Sequence, residues 1–230
     1  MSQTFVLGDI HGNYSGLVQC LEQSKFDIEN DELIILGDVI DRGDDSFRCV
    51  ELLLKIKDLI LIRGSHEIFI LDRIKTNIAS LTWLVNGGDK TLQSYGIEDT
   101  YKFEQISKGT RIQCDIPLRH RRFYESSKRY YVEENSLFVH AAFSPDVQLK
   151  NNSDKTLLWD RTMFENMERT KTPINNTFEN VFIGHTPTIN FGTTKPINIG
   201  NLWNLDTGSG YKDGLLTLMN VSTKEYWQSK

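Results

Sequence analysis

Four of the five histidines, His11, His66, His140 and His185, stand in turns that directly follow short apolar runs. Asp9, Asp38 and Asp41 stand in equivalent turns, whereas His120 lies elsewhere, inside RHRR. A lone histidine is usually structural and a lone aspartate often caps a helix. An ordered group of seven such residues after strand-like runs is harder to reach by chance. Imidazole together with carboxylate suits Mn2+, Fe or Zn2+, and the lack of cysteine in the group disfavours a structural zinc site.

The apolar runs that must position these side chains are TFVLGDIHG, ELIILGDVIDRG, LILIRGSHE, SLFVHAA, NVFIGHTP and LWNLDTGSG. Runs of this length, rich in Val, Ile, Leu and Phe, predict strands buried on both faces. YSGLVQCLEQ and DSFRCVELLLKIK place apolar residues three and four apart, the helical spacing. Strand, helix, strand, helix, strand over the first third predicts an α/β architecture. The stretch from Leu71 to Arg129 reads as mostly helical, in HEIFILDRIKTNIASLTWLV and LRHRRFYESSKRYY, with breaks at NGG and YGIED. GLLTLMNVSTKEYWQ predicts a hairpin with STKE near its turn. In open α/β sheets, ligands bind beyond the carboxyl ends of the strands, which is where the Asp, His and Arg residues gather.

At 230 residues the chain can bury a substantial core, and residues 1–230 read as a single domain. Hydrophobic residues at 39% and charged residues at 25% exclude a disordered chain. The net charge of −5 argues against nucleic-acid binding, and no apolar stretch is long enough to cross a bilayer. Cys20, Cys49 and Cys114 are scattered and never in a C-x-x-C spacing, so they are expected as core thiols in a cytoplasmic protein. The basic run in RHRRFYESSKR predicts a solvated helical face, and Trp83 either a wall of a substrate cleft or a core residue.

GDIHG (8–12), GDVIDRG (37–43) and RGSHE (63–67) resemble the three leading motifs of the phosphoprotein phosphatase family of calcineurin-like metallophosphoesterases. The form is close to the small bacterial and lambda-phage-type serine/threonine protein phosphatases. VHAA (139–142), LLWDR (157–161), GHTP (184–187) and LDTG (205–208) follow in the family's order, so the resemblance spans almost the whole chain. It implies a central β-sandwich flanked by helices, with a dimetal site at the carboxyl ends of the strands. It also implies that Asp9 and His11 bind a first ion, that Asp38 bridges, and that His140 and His185 bind a second with Ser65, which stands where the family has asparagine. By the same resemblance Arg42 and Arg161 hold the phosphoryl oxygens, with Arg63 as a helper, and His66 paired with Asp41 protonates the leaving group. The implied cofactor is a pair of divalent ions, manganese first, with iron or zinc as alternatives.

General chemistry agrees. A phosphomonoester carries about two negative charges near neutral pH, so a bare hydroxide is repelled. Two cations about 3.5–4 Å apart neutralise that charge and make water more acidic. The planar guanidinium of arginine fits the phosphoryl oxygens better than a lysine point charge. Histidine can supply a proton near neutral pH when a carboxylate fixes its tautomer. The expected reaction is direct hydrolysis without a phosphoenzyme, and the resemblance implies phosphoserine, phosphothreonine or phosphotyrosine in a protein or peptide as its substrate.

Serine is a shorter and poorer neutral ligand than the asparagine amide, so Ser65 predicts a weakened second site and slower turnover. Two alternatives stand beside this reading. One is a nucleotide enzyme that cleaves dinucleoside tetraphosphates symmetrically or opens 2′,3′-cyclic nucleotides. The other is a phosphate-binding pseudophosphatase, with Ser65 as its sole support.

Overall fold

A computed structural model of the chain describes residues 2–97 and 116–230. Each of the six apolar runs contains a strand: β1 (Thr4–Leu7), β2 (Glu32–Ile35), β3 (Asp58–Leu61), β5 (Ser136–Val139), β6 (Asn180–Ile183) and β8 (Leu202–Asn204). The C-terminal hairpin is formed by β9 (Thr217–Asn220) and β10 (Tyr226–Gln228), with Ser222–Glu225 in its turn. β4 (Tyr130–Glu133) and β7 (Ile197–Ile199) complete two five-stranded mixed sheets, ordered β10-β9-β1-β2-β3 and β4-β5-β6-β8-β7.

Period-two alternation assigns each strand residue to a layer. Val6, Ile34, Phe138 and Phe182 point between the sheets and pack with Leu36, Ile62, Leu205 and Met219. Phe138 and Phe182 stack there with ring centroids 5.1 Å apart. Phe5, Leu7, Leu33 and Ile35 point outward onto α1 (Tyr14–Ser24) and α2 (Ser46–Leu53), meeting Leu17, Cys20, Cys49 and Val50. On the far side Leu137, Val139, Val181 and Ile183 meet Leu157, Phe164 and Met167 of α7 (Asp154–Trp159) and α8 (Thr162–Thr170). The expected α/β sandwich flanked by helices is present.

The central stretch is helical in α3 (Ser65–Thr76), α4 (Leu81–Trp83), a wide turn over Leu84–Gly88, α5 (Asp89–Ser94) and α6 (Leu118–Glu125). Residues 98–115, with Cys114 and the end of the YGIED break, lie outside the described residues. One expectation is corrected here: LRHRRFYESSKRYY is not helical throughout, because α6 stops at Glu125 and Tyr130-Tyr131 opens β4. Pairing to the edge of β3 imposes the change, since the Lys128 N–H donates to Leu61 and its carbonyl accepts from Arg63 N–H. Within α6, Arg119 and Arg122 are exposed as expected, while His120, Phe123 and Tyr124 are buried.

Candidate metal centre

The turns after β1, β2, β3, β5 and β6 converge at one end of the sandwich. Asp38 lies at the middle. Its carboxylate is 3.7 Å from His11 Nε2, 3.8 Å from His66 Nε2 and 3.5 Å from His140 Nε2, while His140 Nε2 is 3.1 Å from His185 Nδ1. Two groups result, His11–Asp38–His66 and Asp38–His140–His185, each with its ligating atoms within 4.8 Å of one another.

Side chains in these groups are aimed by hydrogen bonds to the backbone. His11 Nδ1 contacts the Ile40 carbonyl at 2.8 Å and His140 Nδ1 that of Leu36 at 2.7 Å, which turns both Nε2 atoms toward Asp38. This is the arrangement by which proteins fix the tautomer of a metal-binding imidazole. Asp9 accepts the His185 N–H on both oxygens at 3.2 Å. Two close approaches demand glycine: a Cβ on Gly184 would sit 2.1 Å from Asp9 Oδ1, and one on Gly64 2.2 Å from Asp38 Oδ1.

The backbone carries strain at the same place. His11, Asp38, Asp41, Arg42 and His185 all have positive φ, between 49° and 74°. Each such non-glycine residue costs about 1–3 kcal/mol and persists only where its surroundings hold it.

Charge states separate one histidine from the other three. Burial depresses His11 and His140, and burial followed by His140 and Arg161 pushes His185 down to about 2, all in the direction that favours neutral imidazole. His66 moves up: burial works against it, but the carboxylates of Asp38 and Asp41 outweigh that and favour imidazolium. Asp38 is held below the usual carboxylate range, because the surrounding histidines overcome its burial. Burial, then Asp206 and Asp38, lifts Asp9 well above that range, and burial chiefly pushes Asp206 up to about 7. Neutral imidazoles around crowded, buried carboxylates are a donor set that a divalent cation fits.

The other expected site residues fall as follows. His66 Nδ1 and Asp41 Oδ2 are 2.6 Å apart. Arg42 places Nη1 2.6 Å from His11 Nε2 and Nη2 3.3 Å from His66 Nε2, with its guanidinium 4.5 Å from the centre of the Tyr211 ring. Arg161 donates to the His185 carbonyl. Ser65 is buried, and its hydroxyl donates to Asp38 at 3.3 Å. Arg63 donates to the Ser127 hydroxyl at 2.9 Å and to its carbonyl at 3.0 Å.

Several residues around the cluster carried no role in the sequence reading. Glu67 accepts backbone N–H groups from Asp38, Val39 and Gly64, and Asp206 is a buried neighbour of Asp9. Their signal was position alone: Glu67 stands in RGSHE at the first turn of α3, and Asp206 in LDTG just after β8. Trp83 is a core residue, and its indole N–H reaches Asp41.

Residues 3–198 match the calcineurin-like phosphoesterase family, and the chain belongs to it. Serine/threonine-protein phosphatase 1 of Salmonella typhimurium is 44% identical over 85 residues, 37% of this chain and 38% of that protein. A symmetrical bis(5′-nucleosyl)-tetraphosphatase of Glaesserella parasuis is 30% identical over 147 residues, 64% of this chain and 47% of that protein. The matched stretches thus span less than half the length of these relatives. Among solved structures, a protein provisionally named a diadenosine tetraphosphatase superposes with a TM-score of 0.70 at 16% identity, covering 99% of this chain and 92% of that one. A cold-active protein-tyrosine phosphatase of a psychrophilic Shewanella superposes at 0.62 with 14% identity, covering 100% and 81%. At those identities the likeness is one of fold. Among the described residues, no helix is long and apolar enough to cross a membrane.

Proposed function

We propose that the chain is a metal-dependent phosphomonoesterase that hydrolyses phosphoserine and phosphothreonine in proteins, with phosphotyrosine as a further substrate. The observation that carries the reading is Asp38 set between His11 on one side and His140 and His185 on the other, with His66 Nδ1 2.6 Å from the Asp41 carboxylate. Asp9, His11 and Asp38 hold one divalent ion, and Asp38, His140 and His185 the other. Manganese is the first choice for this donor set, with iron or zinc as alternatives. When bound, the pair supplies charge neutralisation and an acidified water.

Arg42 and Arg161 flank the cluster on opposite sides and hold the phosphoryl oxygens. His66, oriented by Asp41, gives its Nε2 proton to the departing oxygen. Ser65 contributes weakly: its hydroxyl faces Asp38, so the second ion binds less tightly than an asparagine amide would allow. Arg63, engaged by Ser127, serves the turn rather than the phosphate. Cys20 and Cys49 are buried free thiols, which suits a reducing cytoplasm.

Symmetrical cleavage of dinucleoside tetraphosphates is the second reading, favoured by the relative that aligns over the longer stretch. A side-by-side assay of phosphopeptides, a dinucleoside tetraphosphate and 2′,3′-cyclic nucleotides, with and without added Mn2+, tests both. The expected result is Mn2+-dependent phosphopeptide hydrolysis that chelation abolishes. Faster dinucleotide turnover would favour the second reading, and inertness toward every substrate with every metal would overturn both.

A further inference from the structure

We propose that Thr91 and Trp83, both remote in sequence from the strand-end turns, are positioning residues that lock the Asp41–His66 pair and thereby set its capacity for proton donation. The inference rests on the general-acid role given to His66 above.

Asp41 is fully buried, and side-chain donors crowd both its oxygens. Oδ2 meets His66 Nδ1 at 2.6 Å and Trp83 Nε1 at 2.9 Å, while Oδ1 accepts from Thr91 Oγ1 at 2.6 Å and from Trp83 Nε1 at 3.0 Å. The direction of the Thr91 bond is fixed. An ionised carboxylate only accepts, so Thr91 gives its single proton to Asp41 Oδ1, while its oxygen accepts the Asp41 backbone N–H at 2.9 Å and meets Ser46 Oγ at 3.2 Å. Thr91 therefore grips Asp41 at both its backbone and its side chain.

That grip has work to do. Asp41 and Arg42 are consecutive residues in the left-handed region, with φ of 74° and 67°, a conformation that neighbouring contacts must enforce. The enforcing segment is α4 to α5. Gly87 lies so close to Arg42 that a Cβ there would fall 2.4 Å from its backbone nitrogen, and the Arg42 N–H donates to the Gly87 carbonyl at 3.3 Å. Gly88 lies flat against the Trp83 ring, where a Cβ would sit 2.5 Å from Cδ1 and Nε1. The NGG motif is thus the fitting that lets the segment carry Trp83 and Thr91 onto Asp41.

In the reaction a water oxygen bonds to phosphorus, the ester P–O bond breaks, and the departing oxygen takes the His66 Nε2 proton. The proton lost by the water leaves with the inorganic phosphate or to solvent. A poor leaving group needs that proton more than a good one. A loosened Asp41 should therefore damage hydrolysis of phenyl phosphate more than that of p-nitrophenyl phosphate, whereas a general loss of folded enzyme slows both alike.

The test uses the full chain with saturating Mn2+ and both aryl phosphates. Thr91→Val removes the hydroxyl at nearly constant volume, Thr91→Ser retains it, and Trp83→Phe removes the indole N–H. His66→Asn is the reference for loss of the acid, a loss generally worth about 100-fold to 10,000-fold. Thr91→Val and Trp83→Phe are expected to lower kcat for phenyl phosphate at least about tenfold more than for p-nitrophenyl phosphate, with KM unchanged. Thr91→Ser should restore the wild-type ratio. Equal losses on both substrates in Thr91→Val and Trp83→Phe, with His66→Asn still selective, would overturn the inference and leave the role of His66 intact. No selectivity in His66→Asn would overturn both. Should Thr91→Val fail to fold, the ratio in Trp83→Phe decides.

Discussion

The Glu67 carboxylate accepts the backbone N–H of Asp38 at 2.8 Å, and so ties the turn after β2 to the start of α3. Its other oxygen takes the Val39 N–H at 2.9 Å, and Gly64 N–H donates to the first at 2.8 Å. Asp38 is thereby held from behind by its peptide while its carboxylate faces the imidazoles.

Glu67→Ala should leave three buried backbone donors unsatisfied, at about 1–3 kcal/mol each before relaxation. Residues that orient a metal ligand typically support it by about 10–100-fold in affinity. Calorimetric titration with Mn2+ is expected to show a loss in that range, together with a lower melting temperature. Unchanged affinity would mean that Asp38 orients itself.

Ser65→Asn should tighten the weaker of two Mn2+ binding steps by roughly tenfold or more, by the scale on which ligands and their supports act, and leave the tighter step alone. The reason is local: the Ser65 hydroxyl is turned to Asp38, whereas an amide oxygen reaches farther. Equilibrium dialysis of both forms measures it, and identical isotherms would refute it.

The inter-sheet stack supplies a stability prediction. Phe182 is fully buried against Phe138, and Phe182→Ala should cost about 3–5 kcal/mol through lost contacts and a cavity. Urea denaturation should show a lower midpoint with an unchanged slope.

Glu32 supplies a pH dependence far from the cluster. Burial, and then Glu133, pushes its carboxyl up to about 7. The folded chain therefore keeps a proton that the unfolded chain releases near 4.5, so stability from this group is full below that pH and falls as pH rises toward 7. Glu32→Gln should flatten this fall. Between pH 5 and 8 the metal-free wild type should lose roughly 2–4 °C more than the variant, equivalent to about 1 kcal/mol for a chain of this size.

The strand-end turns were legible because the sequence writes them in one grammar: an apolar run, then Asp or His beside glycine. β4 was hidden because Tyr130 and Tyr131 follow a basic helical run, and only pairing of Lys128 with β3 ends that run's influence. β7, three residues long with Asn198 at its centre, carries no periodic signal. Four of the five assigned metal ligands beside Ser65, namely His11, Asp38, His140 and His185, fall into the two compact groups, while Asp9 stands behind His185. Trp83 could be read as core or as cleft from the sequence, yet its bond to Asp41 spans 42 positions and no local pattern encodes it. Arg63 shows the same limit: RGSHE suggests a helper for phosphate, while its bonds to Ser127, 64 positions away, are encoded by no local pattern.

Anomalous diffraction from crystals grown with Mn2+ tests the central claim most directly. The account predicts two peaks flanking the Asp38 carboxylate, one on the His11 side and one between His140 and His185. Well-ordered side chains in that cluster with no anomalous density among them would contradict it.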